Sequence, residues 1–357
     1  MAATVLGLVV IMACIGRNEV SSFRMNHQQL LHRSSTARRR DLLMGSSPID
    51  SMKEDQERKL IQRGELEAAI MAGMDSPILV RQQPYAETLR TEGVVRIDRV
   101  LPDHVADAMH AYVSSLRDRS NEAIEKGDAI HSDRFANVLL HTHRCDLKIP
   151  LGPSQVQETL QSVLLKSPVR QVFETLLGPN STLYELSCLI SDPGSQRQNV
   201  HPDHPCLHTD HPMVVTCFVA LQDITLDMGP TVWLPTTHSV PAHKRFQSIR
   251  VECVLDSPES PKDRLLRTTP CVVGILPKGS CVMFDSRLLH CGGANRSNRS
   301  RALLYVSFKH PNVEYPGNVG SIGYGLKEAS LLLHELCNGI LPVEGDSARL
   351  DQLSAYP

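Results

Sequence analysis

Two neighbouring segments decide the fold class of this chain: Ser280-Cys-Val-Met-Phe-Asp-Ser-Arg-Leu-Leu-His290 and Arg301-Ala-Leu-Leu-Tyr-Val-Ser-Phe-Lys309. Both are short apolar runs, and the connection between them is rich in the Gly, Asn and Ser residues that favour turns. Similar strand-like runs precede them at Leu183–Ser191, Met213–Gln222, Thr231–Leu234 and Cys271–Leu276. Many short strands separated by turns predict an antiparallel sandwich or jelly roll over about residues 182–310.

The chain before this region predicts mainly helices. Pro102-Asp103 opens a helix whose apolar residues recur at helical spacing, at Val105, Met109, Val113 and Leu116. Ser154 is expected to cap a second amphipathic helix that ends near Gly178. Residues 51–74 favour a solvated helix, while 92–101 and 135–151 each favour a strand. Because the helices come before the strands, we predict an α+β fold, with a double-stranded β-helix (jelly-roll or cupin-like) core and helices packed on one side. Residues 240–269, polar and Pro-containing, are expected to form a long insertion, a candidate lid.

The bulk composition gives no sign of a nucleic-acid or membrane-surface partner. A net charge of -2 and 4% aromatic residues give no sign of a nucleic-acid partner. After the first 20 residues, no apolar run approaches a membrane span. The ten cysteines include no C-x-x-C pair, so we expect reduced, structural cysteines. The oligomeric state is not indicated.

The amino terminus has the pattern of a targeting segment. Thr4 to Ile15 is a short apolar core, Val20 to Phe23 contains small residues, and Arg24 to Arg40 holds five arginines and no acid. This order resembles the bipartite plastid presequence of algae, which implies a plastid location. A mitochondrial presequence, a secretory signal and a disordered tail remain open. We therefore expect residues 1–48 to be a targeting or disordered segment and residues 49–357 to form a single domain.

Histidine and aspartate spacing predicts a metal site. Non-haem iron oxygenases need two imidazoles and one carboxylate on one face of the metal. On a strand, His-x-Asp places two such ligands on the same side. Two candidates lie close together, His201-Pro-Asp203 and His208-Thr-Asp210. A third, His131-Ser-Asp133, precedes the β-rich region and is interpreted as a polar loop.

The third metal ligand and an anion-binding residue are expected on the segments Ser280–His290 and Arg301–Lys309. If those strands pair as a hairpin, His290 and Arg301 stand near each other at one end of the sheet. The planar guanidinium of an arginine binds a carboxylate through two parallel hydrogen bonds. The pair is therefore suited to a metal-chelated dicarboxylate.

This combination resembles the phytanoyl-CoA dioxygenase family of iron(II)/2-oxoglutarate oxygenases, from about Leu89 to His310. The matching motifs are Glu92-Gly-Val-Val, Pro193-Gly194…Gln198-x-x-His201-x-Asp203, Ala220-Leu-Gln-Asp223, Gly229-Pro230…Leu234-Pro235…His238, His290 and Arg301. The family usually has Asn-Gly-Pro and Pro-Gly-Ser-His where this chain has Met228-Gly-Pro230 and Pro235-Thr-Thr-His238. These departures affect a turn and not the ligands, and His238 is interpreted as structural.

The resemblance implies Fe(II) bound by His201, Asp203 and His290. A Pro-Gly turn before the family's His-x-Asp and a loop after it fit this pair. His208 and Asp210, the alternative metal pair, would leave only two residues before the strand at Met213. The implied cosubstrates are 2-oxoglutarate and dioxygen, with ascorbate as an optional further cofactor.

The resemblance also implies cosubstrate-binding residues: Arg301, Gln198, Lys148, Phe218 and Ser307. In a strand, Arg301 shares its face with Leu303, Tyr305 and Ser307, as Thr216 does with Phe218 and Ala220. For Lys148 and Gln198 a solvated strand edge remains an equal alternative.

The implied reaction is hydroxylation of an aliphatic C–H bond of a small organic or acyl substrate, with release of succinate and carbon dioxide. Asp203 supplies the carboxylate that related halogenases lack, so hydroxylation is the first expectation. Desaturation or oxidative cyclisation by the same chemistry remains open. A non-catalytic jelly-roll binding protein with structural histidines is the alternative from another class.

Overall fold

The computed structural model describes residues 84–138, 142–206, 211–249, 261–313 and 330–340. The targeting segment, the helix expected at 51–74 and the His208/Asp210 pair lie outside these ranges. The helices are α1 Tyr85–Glu92, α2 Asp103–Lys126, α3 His131–Arg134, α4 Ser154–Leu165, α5 Val169–Leu177, α6 Val240–Ser248, α7 Leu265–Thr268 and α8 Leu333–Glu335. The strands are β1 Val94–Ile97, β2 Phe135–Ala136, β3 Arg144–Lys148, β4 Thr182–Ser191, β5 Val214–Ala220, β6 Thr231–Trp233, β7 Val272–Val273, β8 Cys281–Asp285, β9 His290–Gly292 and β10 Arg301–Lys309.

The strands form two antiparallel sheets. The major sheet has the order β1-β8-β5-β10-β4-β3-β2, and the minor sheet has the order β7-β6-β9. Trp233 of the minor sheet packs against Phe218 and Phe284 of the major sheet, with ring centroids 6.3 and 5.6 Å away. The two sheets therefore face each other, which confirms the predicted jelly roll with its helices before the core.

Alternation along β10 places one set of side chains on each face of the major sheet. Ala302, Leu304, Val306 and Phe308 pack with the helices in one buried cluster. Leu303 and Tyr305 instead join the cluster between the sheets. Because Arg301 and Ser307 have the same parity as Leu303, their side chains also point between the sheets. The predicted shared face of β10 is confirmed.

The helical part differs from the prediction at two places. Ser154 does not cap α4: it is the first helical residue, after Pro153, and no side chain caps this end. The single helix expected up to Gly178 is two helices, because Pro168 has no backbone N–H to continue α4. The strand expected at 135–151 is likewise the antiparallel pair β2 and β3.

The hairpin expected between the segments Ser280–His290 and Arg301–Lys309 is not formed, so this prediction is wrong. β9 pairs with β6 in the minor sheet, whereas β10 pairs with β4 and β5 in the major sheet. The connection between them passes Gly229 so closely that a Cβ there would lie 2.3 Å from the carbonyl oxygen of Ala294. This backbone contact, which a side chain at residue 229 would prevent, carries the chain from one sheet to the other.

The insertion at 240–269 is more structured than expected. Its described part contains α6 and α7, whose Phe246 and Leu266 pack with Leu289, beside His290. This part therefore supports the strand that carries a predicted ligand. A lid function for the insertion stays a prediction. In the described part of the chain, we find no helix with the length and apolar character of a membrane span.

Candidate metal centre and cosubstrate pocket

Three predicted ligands lie together between the sheets. One ligand atom from each of His201, Asp203 and His290 lies within 4.8 Å of the other two. Asp203 Oδ1 is 4.0 Å from His201 Nε2 and 3.5 Å from His290 Nε2. Two imidazole nitrogens and one carboxylate oxygen form the donor set that suits a non-haem iron.

Backbone hydrogen bonds hold these segments in register. The amide of His201 donates to the carbonyl of His290 and the amide of His290 to that of His201, both at 2.9 Å. Asp203 N donates to Ser286 O, also at 2.9 Å. The His-x-Asp segment lies outside the named strands, but these bonds fix it against Ser286 and against His290, the first residue of β9.

Both imidazoles are oriented through their other nitrogen. His201 Nδ1 lies 2.7 Å from the carbonyl oxygen of Asn199, and His290 Nδ1 lies 2.8 Å from that of Leu288. A carbonyl only accepts, so each Nδ1 carries the proton as donor. Nε2 is therefore the nitrogen that faces Asp203 in each ring, which is the arrangement of metal-binding histidines.

The electrostatics of the three groups favour an anionic carboxylate. Burial opposes ionisation of Asp203, but the charge and hydrogen bond of His290 lower the pKa of Asp203 to about 2. Burial, then the neighbouring His290, lowers the pKa of His201 to about 4. At neutral pH His201 is thus neutral and Asp203 negative, which are the forms that bind a metal ion.

A cavity of about 250 Å³ adjoins these ligands. Its walls come from both sheets and from the loop that carries His201. Besides the three ligands, it is lined by Asn137, Val138, Asp146, Glu185, Leu189, Gln198, Pro202, His204, Thr216, Phe218, Thr231 and Tyr305. The predicted Thr216–Phe218 face therefore lines the cavity.

Two buried guanidiniums lie at one end of the space between the sheets. Arg144 and Arg301 are 4% and 0% exposed. Both donate to Ser191 Oγ, Arg144 Nη1 at 2.8 Å and Arg301 Nη2 at 3.0 Å. Arg301 Nε and Nη1 and Arg144 Nε have no hydrogen-bond partner among the described residues. Burial, and then the charge of Arg144, lowers the pKa of Arg301 to about 9.

This guanidinium pair fits a carboxylate ligand. A buried cation without a counter-ion is costly, and a buried donor without an acceptor adds to the cost. A carboxylate would supply both acceptors and charge through the planar fork of Arg301. The donor set of the three ligands and these orphaned N–H groups together fit an iron ion and a dicarboxylate.

The other predicted cosubstrate residues occupy different positions. Gln198 is buried and lines the cavity, where its Oε1 accepts a hydrogen bond from Gly292 N at 3.0 Å; it is not a solvated edge. Ser307 Oγ lies 3.0 Å from Thr216 Oγ1. Lys148 lies on the same face of β3 as Arg144. Its ammonium donates to Ser132 O at 2.8 Å, and it does not line the cavity. Its cosubstrate role therefore stays a prediction.

Arg144, Asp146 and Glu185 were not predicted as site residues. The available signal was the alternation Arg144-x-Asp146-x-Lys148, in which three charged residues share one strand face. The His208/Asp210 pair lies outside the described residues, so the choice between the two pairs stays a prediction.

This chain is similar to several solved structures at low sequence identity. The non-heme alpha ketoglutarate dependent epimerase SnoN from nogalamycin biosynthesis is 17% identical over 65% of this chain and 87% of SnoN, with a TM-score of 0.45. AviO1 from Streptomyces viridochromogenes Tue57 is 15% identical over 66% and 97% of the two chains, with a TM-score of 0.46. HygX from Streptomyces hygroscopicus, solved with nickel and 2-oxoglutarate bound, is 12% identical over 65% and 88%, with a TM-score of 0.45.

Similarities this low do not assign a function to this chain. The family is assigned by the match to a family model. That model, phytanoyl-CoA dioxygenase (PhyH), matches residues 89–303. The match covers more than half of the chain and includes His201, Asp203, His290 and Arg301. This protein belongs to the phytanoyl-CoA dioxygenase family and is an enzyme of the oxygenase type.

Proposed function

We propose that this chain is an iron(II)- and 2-oxoglutarate-dependent dioxygenase that hydroxylates an aliphatic C–H bond of a small organic or acyl substrate. Succinate and carbon dioxide are the coproducts. The observation that carries the proposal is the ligand triad His201, Asp203 and His290 together with a buried Arg301 that has unpaired N–H groups on the inner face of the major sheet. Family membership supports the same reaction class.

Different residues of the chain would bind the metal, bind the cosubstrate and exclude water. His201, Asp203 and His290 would hold the metal, while Arg301 would hold the far carboxylate of 2-oxoglutarate. Bound iron with 2-oxoglutarate supplies oxidative decarboxylation and the activation of dioxygen. Phe218 and Leu189 line the cavity with apolar surface, which would exclude water from the reacting centre. Gln198, held by Gly292, would keep an amide beside the cosubstrate.

The direct test is turnover by the purified, iron-loaded full chain. We expect succinate to form from 2-oxoglutarate under air, and to form faster when a true substrate is added from a panel of candidates. Product masses separate the alternatives, since hydroxylation adds one oxygen, while desaturation or ring closure removes two hydrogens. Tight substrate binding without any succinate would favour the non-catalytic binding protein instead.

Arg301→Lys should weaken 2-oxoglutarate binding with little effect on iron content. Lysine keeps the charge but loses the two-pronged donor geometry, so we expect a loss of about 2 kcal/mol in binding free energy, the scale of one charged hydrogen bond. Anaerobic calorimetric titration with 2-oxoglutarate measures it. Arg299→Lys is the matched control, because Arg299 is exposed and two residues away. Unchanged affinity in Arg301→Lys would assign the carboxylate to another cation, such as Arg144.

A further inference from the structure

The inner face of the major sheet is electrically divided. Directly opposed residues of antiparallel strands point to the same side. One row therefore contains Arg144, Ser191 and Arg301, which are successive register partners. The next row contains Asp146, opposite Leu189. Glu185, opposite Ser307, lies further along. The two arginines thus occupy one end of this face, and two carboxyl groups, with Lys148 in the row between them, lie along the rest.

Asp146 is the more deeply placed of the two carboxyl groups. It is 6% exposed and lines the cavity. The hydroxyl of Tyr305 donates to its Oδ2 at 2.7 Å, whereas Oδ1 has no hydrogen-bond partner among the described residues. A buried carboxylate oxygen left without a donor is unfavourable. This atom therefore lacks a partner that a ligand can supply.

Glu185 adds a second carboxyl group to the same wall. It lines the cavity and accepts a hydrogen bond from Ser307 Oγ at 3.0 Å. Lys148 offsets part of this charge, but its ammonium is directed to Ser132 O and it does not line the cavity. The described lining contains neither lysine nor arginine. This wall therefore has an excess of negative charge.

We propose that Asp146, assisted by Glu185, binds a cationic amino group of the substrate; this assignment rests on the proposed iron and 2-oxoglutarate chemistry. A dicarboxylate held at the Arg144/Arg301 end would bring two negative charges to the two guanidiniums, so neither guanidinium would remain available as a counter-ion for Asp146. An ammonium N–H donated to Asp146 Oδ1 forms a charge-assisted hydrogen bond. The same acids would repel a substrate that carries a carboxylate at this wall.

The ionisation of Asp146 is consistent with this role. Burial raises the pKa of Asp146 to about 6, although the hydrogen bond from Tyr305 opposes the shift. At neutral pH most of this carboxyl group is therefore still ionised. A bound ammonium would favour the ionised form further.

The test compares a matched set of probes: butylamine, 1-butanol and butyrate. Dissociation constants are measured by ligand-observed NMR on the full chain, held anaerobically with Fe(II) and 2-oxoglutarate. We expect butylamine to bind at least about tenfold more tightly than 1-butanol, the effect of one charged hydrogen bond, and butyrate to bind most weakly. Asp146→Asn, which keeps the acceptor for Tyr305, should reduce the preference for the amine to about twofold or less.

Two further variants keep the test decisive. Glu185→Gln should weaken the amine preference less than Asp146→Asn, and it covers the case in which Asp146→Asn does not fold. Asp107→Asn removes an exposed charge paired with Lys278 and should keep the full preference. Equal binding of 1-butanol and butylamine to the parent protein, or an amine preference unchanged in Asp146→Asn and Glu185→Gln, overturns the assignment. Iron content and 2-oxoglutarate affinity are measured on the same samples. A parent protein that binds neither iron nor 2-oxoglutarate would refute the proposed function itself.

Discussion

His290→Ala should leave the purified chain without bound iron and without succinate production. His290 contributes one of only two imidazoles in the candidate triad and lies 3.5 Å from Asp203. Two remaining ligands, one of them a partly exposed carboxylate, would not retain Fe(II) through purification. We expect iron to fall from about one ion per chain to near zero, measured by elemental analysis.

The matched control for this substitution is His104→Ala. His104 is an exposed histidine on α2, outside the cavity lining, so its loss should change neither iron content nor turnover. His201→Ala should behave like His290→Ala. A variant with alanine at either position that keeps full iron content and full activity would refute the ligand assignment.

Asp203→Ala and Asp210→Ala should differ in iron content. Asp203 Oδ1 lies within 4.0 Å of the Nε2 atoms of both histidines, so its removal leaves a pair of neutral ligands. We expect Asp203→Ala to lose iron, or to retain it with an extra open position when chloride is present. Asp210→Ala should keep the parent's iron stoichiometry and alter substrate handling at most.

Elemental analysis of the two variants, prepared side by side, decides between the pairs. The two substitutions remove the same atoms seven positions apart, so each variant serves as the control for the other. Loss of metal from Asp210→Ala with retention in Asp203→Ala would transfer the site to His208 and Asp210.

The fold could be predicted from local patterns because they agree along the chain. The apolar residues of α2 recur at helical spacing, and all of Val105, Met109, Val113 and Leu116 are buried. The turn-bounded runs between residues 182 and 310 each contain a strand of the jelly roll. These features depend on neighbouring residues, which a sequence displays directly.

The break between α4 and α5 at Pro168 is a local signal, whereas the wrong hairpin and the missed charged residues depend on distant residues. Whether the segment ending at His290 pairs with β10 or with β6 is decided by packing between the sheets and not by either segment. The roles of Asp146 and Arg144 depend on the register of β3 against β4, which no local pattern fixes. Pairing His201 with His290 succeeded because the family resemblance supplied the long-range relation.

The reciprocal amide bonds between His201 and His290 have a consequence for metal uptake. They join the two imidazole-bearing segments through main-chain atoms, so the alignment of the ligands does not depend on the ion. Little conformational entropy remains to be lost when the ion arrives, which makes the site preorganised. We therefore expect the ion to bind after the site has folded. A chelator should remove it reversibly without unfolding the chain, in contrast to zinc fingers, whose folding requires the metal.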